Sequence, residues 1–122
     1  MGSTIVEVRV RGSKGEVFLK ALIDTGFYGD LITLPKNIEG IGVDLKYVRS
    51  RRLPDGRVIN VRFGGGEIRV MDSVTYGDIE VWDELKLPEG VDALLGVTAL
   101  EKLGFKINPK TGKLEKVEFY LL

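Results

Sequence analysis

Near its start, this sequence alternates apolar and charged side chains at every second position, and this alternation restricts the possible folds more than any other feature. Val6, Val8 and Val10 alternate with charged residues, and a glycine-bounded turn over 12–15 leads to a second apolar segment, 16–23. The alternation predicts a strand with one solvated face, and the turn predicts that both segments form a β-hairpin. Because the second segment becomes apolar on both faces, we expect its end to be buried on both sides.

Strand patterns continue along most of the chain. Asp-Gly pairs readily adopt the positive φ angles of tight hairpins, so residues 47–63 are predicted to form two strands joined at Pro54-Asp55-Gly56. The three glycines at 64–66 are expected to end the second of these strands. Further strands are predicted at 31–34, 67–74, 78–82, 105–107 and 114–122, with a loop or single helical turn at 35–40.

One short helix is predicted near the C-terminus, at residues 97–103. Thr98 and Glu101 match the S/T-x-x-E capping box, and Gly104 is placed to close the helix. The chain shows no internal repeat, linker or low-complexity segment. These patterns predict a single domain over residues 1–122 that is mainly β and barrel-like, with one short helix.

Composition narrows the chemistry of such a domain. The 122 residues include no His and no Cys, which excludes Ser-His-Asp triads, thiolate nucleophiles and the usual zinc sites. We therefore expect no metal and no cofactor, and any catalysis must use carboxylates, hydroxyls or Lys. Basic and acidic residues number 18 each, which argues against general nucleic-acid binding. No apolar run approaches the ~18–20 residues of a membrane span, so we expect a cytoplasmic protein without a membrane partner.

The motif Asp24-Thr25-Gly26, called the DTG motif below, directly follows the most hydrophobic predicted strand. An ionised carboxylate is costly at such a position unless another group pairs with it or a reaction uses it. Asp and Gly are also common turn formers. The triplet alone therefore leaves two interpretations open, a simple turn and a functional site.

Other motifs accompany this triplet in a recognisable order. Leu22-Ile23 precedes the DTG motif, Asp55-Gly56 follows it, and Leu94-Leu95-Gly96 and the segment 108–115 come later. With these motifs the sequence resembles the retropepsin-like aspartic proteases, in particular their small prokaryotic and archaeal members. The resemblance covers most of the chain and implies an acid-protease barrel, closed or partly open, with one short C-terminal helix.

The resemblance implies an aspartic endopeptidase. In that chemistry two neighbouring carboxylates share one proton, and the ionised member activates a water that attacks the peptide carbonyl. The chain has one DTG motif, so the resemblance implies a homodimer in which each copy supplies Asp24. Thr25 would bond across the twofold axis, and Gly26 would let the substrate backbone approach closely.

The same resemblance implies a peptide-binding cleft. Its substrate-binding residues would be Gly26 and Phe27 of the active-site loop, together with Pro54, Asp55 and Gly56 at the tip of a hairpin flap. Phe27 and Tyr28 either line a pocket or pack in the core, and core packing is the commoner role. The hairpin is rich in arginines, which either select acidic peptides or form a solvated face, and we favour the solvated face: Arg49, Arg51, Arg52, Arg57 and Arg62.

Two alternatives to an endopeptidase remain. One is a peptide-binding or regulatory dimer of the same fold with little or no catalytic activity, because fold does not guarantee function. The other is a monomeric structural domain in which the triplet is fortuitous. The intact DTG motif favours the enzyme, since a binding module gains nothing evident from two carboxylates that face each other.

Overall fold

The computed structural model describes residues 4–117, and this part of the chain is mainly β with one α-helix. This confirms the class predicted from the strand patterns. The strands are β1 (Ile5–Arg11), β2 (Glu16–Asp24), β3 (Leu31–Thr33), β4 (Tyr47–Arg52), β5 (Val58–Val70), β6 (Ser73–Val81), β7 (Ala93–Gly96), β8 (Phe105–Ile107) and β9 (Leu114–Lys116); a 3-10 helix spans Pro35–Ile38, and the α-helix α1 spans Val97–Leu103.

Seven strands form one sheet in the order β1-β2-β7-β3-β6-β5-β4. Strand β1 also pairs with β5, so six of these strands close into a barrel and β4 is attached outside it through β5. Strands β8 and β9 form a separate two-stranded sheet. The barrel expected from the sequence is therefore present.

Strand β7 lies between two strands that follow each other in the chain. It pairs in parallel with β2, where Asp24 is opposite Gly96, and antiparallel with β3, where Leu31 is opposite Leu95. The segment 25–30 must therefore cross the end of β7 to connect β2 with β3. This topology places the DTG motif where β7 ends and α1 begins.

The barrel interior is filled by aliphatic side chains from almost every strand. Val8 and Val10 are fully buried, as the alternation in β1 predicts. The expectation that the end of β2 is buried on both faces is correct only in part, because Ile23 is buried but Leu22 is half-buried. Burial of this apolar surface supplies the main driving force for folding. Other fully buried core residues are Leu31, Ile68, Ile79 and Leu95.

The three glycines at 64–66 do not end a strand, and this prediction is wrong. Strand β5 runs through them to Val70, and the turn falls instead at Met71, which has a φ of 54°. The glycines permit close packing: a Cβ at Gly64 would collide with the backbone carbonyl of Asp44. The predicted strand 67–74 is consequently divided between β5 and β6.

Helix α1 has the predicted bounds, and its C-terminus ends as expected. Gly104 is left-handed, with a φ of 79°, and its N–H donates to the carbonyls of Glu101 and Leu100. The capping-box prediction is wrong, because the N-cap is Gly96 and no side chain caps the helix. Strand β7 enters the helix without a loop, so Thr98 already lies inside the first turn.

Strand β9 covers only the first part of the predicted strand 114–122, and residues 118–122 lie outside the described part of the chain. Between residues 4 and 117, no helix is both long enough and apolar enough to cross a membrane.

Candidate active site

The DTG motif forms a tight loop at the end of β2. Asp24 is the last residue of this strand and is half-buried. Its Oδ1 accepts a hydrogen bond from the N–H of Gly26 at 2.9 Å, and its carbonyl accepts one from the N–H of Phe27 at 3.1 Å. Thr25 and Gly26 are exposed. The loop therefore presents Asp24 at the edge of the barrel beside two accessible residues.

Backbone hydrogen bonds hold this loop against the start of α1. The carbonyl of Phe27 accepts the N–H of Val97 at 2.9 Å, and the carbonyl of Asp30 accepts the N–H of Gly96 at 2.9 Å. The first N–H groups of a helix have no intrahelical partners, and here the loop supplies acceptors in place of a side-chain cap. A Cβ at Gly96 would collide with the carbonyl of Gly29. Gly96 thus lies directly beneath the loop of the DTG motif.

Asp30 anchors the far end of the loop, a role that local sequence patterns do not indicate. It is 5% exposed, and its Oδ2 accepts hydrogen bonds from the N–H of Asp78 at 2.8 Å and from Nζ of Lys102 at 3.0 Å. The carboxylate therefore joins the loop to β6 and α1. Its only sequence signal was an acid directly before an apolar strand, and the partners lie far along the chain.

The other acid of the loop is engaged in structural contacts. Asp30 is bonded as described, whereas Asp92 lies at the opposite end of β7, where its Oδ2 accepts the N–H of Lys20 at 2.9 Å. The carboxylate of Asp24 accepts one hydrogen bond within residues 4–117, from the N–H of Gly26. In the same part of the chain, no three His, Cys, Asp or Glu residues are grouped to hold a metal ion. Of the two carboxylates in this loop, that of Asp24 is therefore the more accessible.

The hairpin of β4 and β5 ends in an exposed tip at residues 53–57. Gly56 has a φ of 89°, and the N–H of Leu53 donates to the carbonyl of Arg57 at 2.8 Å. Asp55 accepts hydrogen bonds from the N–H of Arg57 at 3.0 Å and from its Nε at 2.7 Å. The backbone bond and then the guanidinium hold the pKa of Asp55 below its ordinary value of 3.8. Pro54, Asp55 and Gly56 are exposed, and the tip bonds are local to the hairpin.

The expectation of a solvated arginine face is wrong for two residues of the hairpin. Arg49 donates to Asp78 at 2.7 Å, and Arg51 pairs with Glu80 at 3.0 Å. Both side chains turn inwards because β6 places two acids beneath β4. Arg52, Arg57 and Arg62 are exposed, in agreement with the expectation.

Phe27 and Tyr28 have different environments. Phe27 is half-buried and packs against Gly29, and the guanidinium of Arg51 lies 5.1 Å from its ring centroid. Tyr28 is 76% exposed. Phe27 thus has mainly a packing role, whereas Tyr28 projects from the loop into solvent.

The structure therefore collects Asp24, Thr25, Gly26 and Phe27 in one loop and places the hairpin tip on a different element. An open groove adjoins Asp24 and Thr25 and is bounded on its other side by the turn at 108–112. Comparison with protein-family models and with curated proteins finds no match for this chain.

Proposed function

We propose that the chain is a homodimeric aspartic endopeptidase with a retropepsin-like fold. The observation that carries this proposal is the placement of Asp24. Its half-buried carboxylate ends a barrel strand in a loop fixed on Gly96, and it accepts one hydrogen bond from within that loop. The backbone of this residue is fixed, while its carboxylate has a single hydrogen-bond donor. Such a carboxylate is suited to exchange protons with a substrate.

The proposed reaction uses two Asp24 carboxylates that face each other across a twofold axis. Like charges at close range cannot both ionise, so the pair retains one proton. The ionised carboxylate takes a proton from a water molecule, whose oxygen attacks the peptide carbonyl carbon while the protonated partner donates to the carbonyl oxygen. Collapse of the tetrahedral intermediate breaks the C–N bond, and the leaving nitrogen takes up a proton.

The remaining site residues are assigned to binding. Thr25 and Gly26 are exposed beside Asp24, where a second copy and an extended peptide would meet. Phe27 supports the loop through its ring and its carbonyl. The hairpin tip at 54–56 would close over the substrate and bind its main chain.

The contacts of the other acid in the loop support the dimer. Asp30 is held in structural bonds to Asp78 and Lys102, so it is not placed to share a proton with Asp24. A second Asp24 from another copy satisfies the need for a second carboxylate. The open groove beside Asp24 leaves room for the approach of that copy.

A peptide library tests the proposal most directly. Wild type, Asp24→Asn and the control Asp83→Asn, whose side chain is 84% exposed, would be incubated from mildly acidic to neutral pH, with products identified by mass spectrometry. We expect wild type and the control to cleave the same peptides and Asp24→Asn to cleave none. Peptide binding without cleavage would instead support a regulatory dimer, and a monomeric mass in solution would support a structural domain.

A further inference from the structure

Strand β4 needs support beyond its strand pairing. It is the last strand in the order of the main sheet and pairs with β5. The barrel closes through β1 and β5 without it. Side-chain contacts between β4 and the strands of the barrel therefore contribute to the attachment of the hairpin.

Arg51 supplies the closest of these contacts. Its Nε lies 3.2 Å and 3.1 Å from the two carboxylate oxygens of Glu80, and its Nη2 lies 3.0 Å from Oε1. The indole N–H of Trp82 donates to Oε2 at 2.6 Å. Glu80 is thus bonded at both oxygens, and Arg51 uses the forked geometry that a lysine lacks.

Burial makes this pair difficult to open. The Glu80 side chain is 1% exposed, and that of Arg51 is 24% exposed. Arg49 also approaches Oε1 of Glu80, but at 3.4 Å, and its shorter bond is with Asp78. Removing one member of a buried ion pair leaves a charge without compensation, which is strongly unfavourable. Separation of β4 from β6 would impose this cost.

The same guanidinium contacts the active-site loop. Arg51 lies over the ring of Phe27, and the carbonyl of Phe27 is bonded to the N–H of Val97. One side chain therefore joins the hairpin, the barrel and the loop that carries Asp24. The hydrogen bonds of Asp55 at the hairpin tip, in contrast, go to Arg57 within the tip and do not join it to the barrel.

We propose that Arg51 and Glu80 are positioning residues that fix the end of β4 next to the hairpin tip over the active-site loop. Opening of the hairpin is then confined to the tip itself, residues 53–57, just beyond this fixed point. The kinetic part of this inference rests on the proposed peptidase function. The structural part concerns the attachment of β4 alone, so the two parts can fail separately.

Hydrogen exchange of backbone amides measures the attachment of β4 without any need for activity. In Arg51→Met we expect the β4 amides to exchange at least about tenfold faster than in wild type, with the β1–β2 hairpin unchanged. Arg62→Met is the matched control, because Arg62 belongs to the same hairpin but lies 3.9 Å from an exposed Asp83. Its β4 exchange should equal that of wild type.

The double variant Arg51→Met/Glu80→Gln keeps the experiment informative if Arg51→Met does not fold. It removes both charges of the pair and retains an oxygen that accepts the indole N–H of Trp82. We expect it to fold and to show the same fast exchange of β4. Arg51→Lys retains the charge without the fork and should give an intermediate rate.

Kinetics then separate positioning from a general loss of structure. With a cleaved peptide, we expect Arg51→Met to raise KM about tenfold, equivalent to about 1.4 kcal/mol of lost binding, with a smaller effect on kcat. Arg51→Lys should restore part of this loss. Unchanged β4 exchange in both the single and the double variant would overturn the inference. Faster β4 exchange in Arg51→Met, together with a wild type that cleaves no peptide, would support the anchor and overturn the proposed function.

Discussion

At the scale of single residues, two aspartates in one loop illustrate how surroundings assign different roles to the same side chain. Asp30 is buried and accepts bonds from Asp78 and Lys102, so it stabilises the loop. Asp24 is half-buried and accepts a single bond from Gly26. The first carboxylate is buried and bonded through its Oδ2 in the folded protein, whereas the second is only half-buried and is the one assigned to the proposed chemistry.

Substitution of Asp24 should abolish turnover without loss of stability, whereas substitution of Asp30 should lower the stability of the fold. Asp24→Asn retains an oxygen for the N–H of Gly26 and removes the like-charge repulsion in a dimer, so we expect an unchanged or higher Tm at neutral pH and no turnover. Asp30→Ala leaves the N–H of Asp78 and the ammonium of Lys102 without a partner, and should cost about 1–3 kcal/mol. Thermal and urea unfolding provide the measurement. A large loss of stability in Asp24→Asn would show that Asp24 has a structural role.

At the scale of elements, local patterns predict the strands, the hairpin tip and the helix end. Alternating side chains specify β1, and Gly56 and Gly104 have the positive φ angles that their turns require. The prediction that the glycines at 64–66 end a strand is wrong because their role depends on residues elsewhere in the chain. The Asp44 backbone packs against Gly64, and the Tyr76 ring packs against Gly65. Local sequence patterns also indicate Asp24 as a candidate site residue. They do not indicate the structural roles of Asp30 and Glu80, because the fold brings the partners of these two acids close to them.

Replacement of one of these glycines should reveal its packing role. A Cβ at Gly64 would meet the Asp44 backbone, which cannot rotate away, so Gly64→Ala should destabilise the protein by about 1–3 kcal/mol. Gly15→Ala is the control, because no atom lies within 4 Å of the added Cβ. Urea denaturation of both variants tests this expectation. Equal stability of the two variants would contradict it.

The acid at the hairpin tip should titrate abnormally. Its backbone and side-chain bonds to Arg57 lower the pKa of Asp55 in the folded state. The bonds therefore contribute stability above the unfolded pKa of 3.8, and that contribution is lost as pH falls through the folded pKa. Arg57→Ala keeps the backbone bond and removes the guanidinium bond, so it should raise the pKa of Asp55 part of the way back in an NMR titration.

Asp72 serves as the internal reference for this titration, because its hydrogen bond with Lys116 lowers its own pKa. The pKa of Asp72 should not respond to Arg57→Ala. If Asp55 titrates at the same pH in wild type and Arg57→Ala, the bond from the Arg57 guanidinium is not formed in solution.

At the scale of the whole molecule, the proposed function divides one active site between two chains. Each chain presents one free acid in a loop that its own barrel holds rigidly. The other acid of the loop, Asp30, is bonded within the chain. Catalysis should therefore be a property of the pair of chains and should fall on dilution below the Kd of the dimer.

Mixing wild type with Asp24→Asn tests this division quantitatively. If subunits exchange freely and wild-type chains are a fraction f of the total, the share of dimers with two carboxylates is f squared. A heterodimer has one carboxylate opposite an amide and cannot exchange the proton roles during the reaction. Activity should follow f squared once mass spectrometry has verified exchange. A linear dependence on f would show that each chain works alone.

The position of β7 between β2 and β3 also determines the order in which the chain can fold during synthesis. The β1–β2 and β4–β5 hairpins form from neighbouring segments, but the contact between Lys20 and Asp92 spans 72 positions. Such distant pairing is entropically costly and slow compared with local pairing. On the ribosome, β2 and β3 remain unjoined until residues 93–96 have left the exit tunnel. Asp24 should therefore acquire its fixed position only after residues 93–96 have emerged, because the loop that carries it is held on β7 and the start of α1.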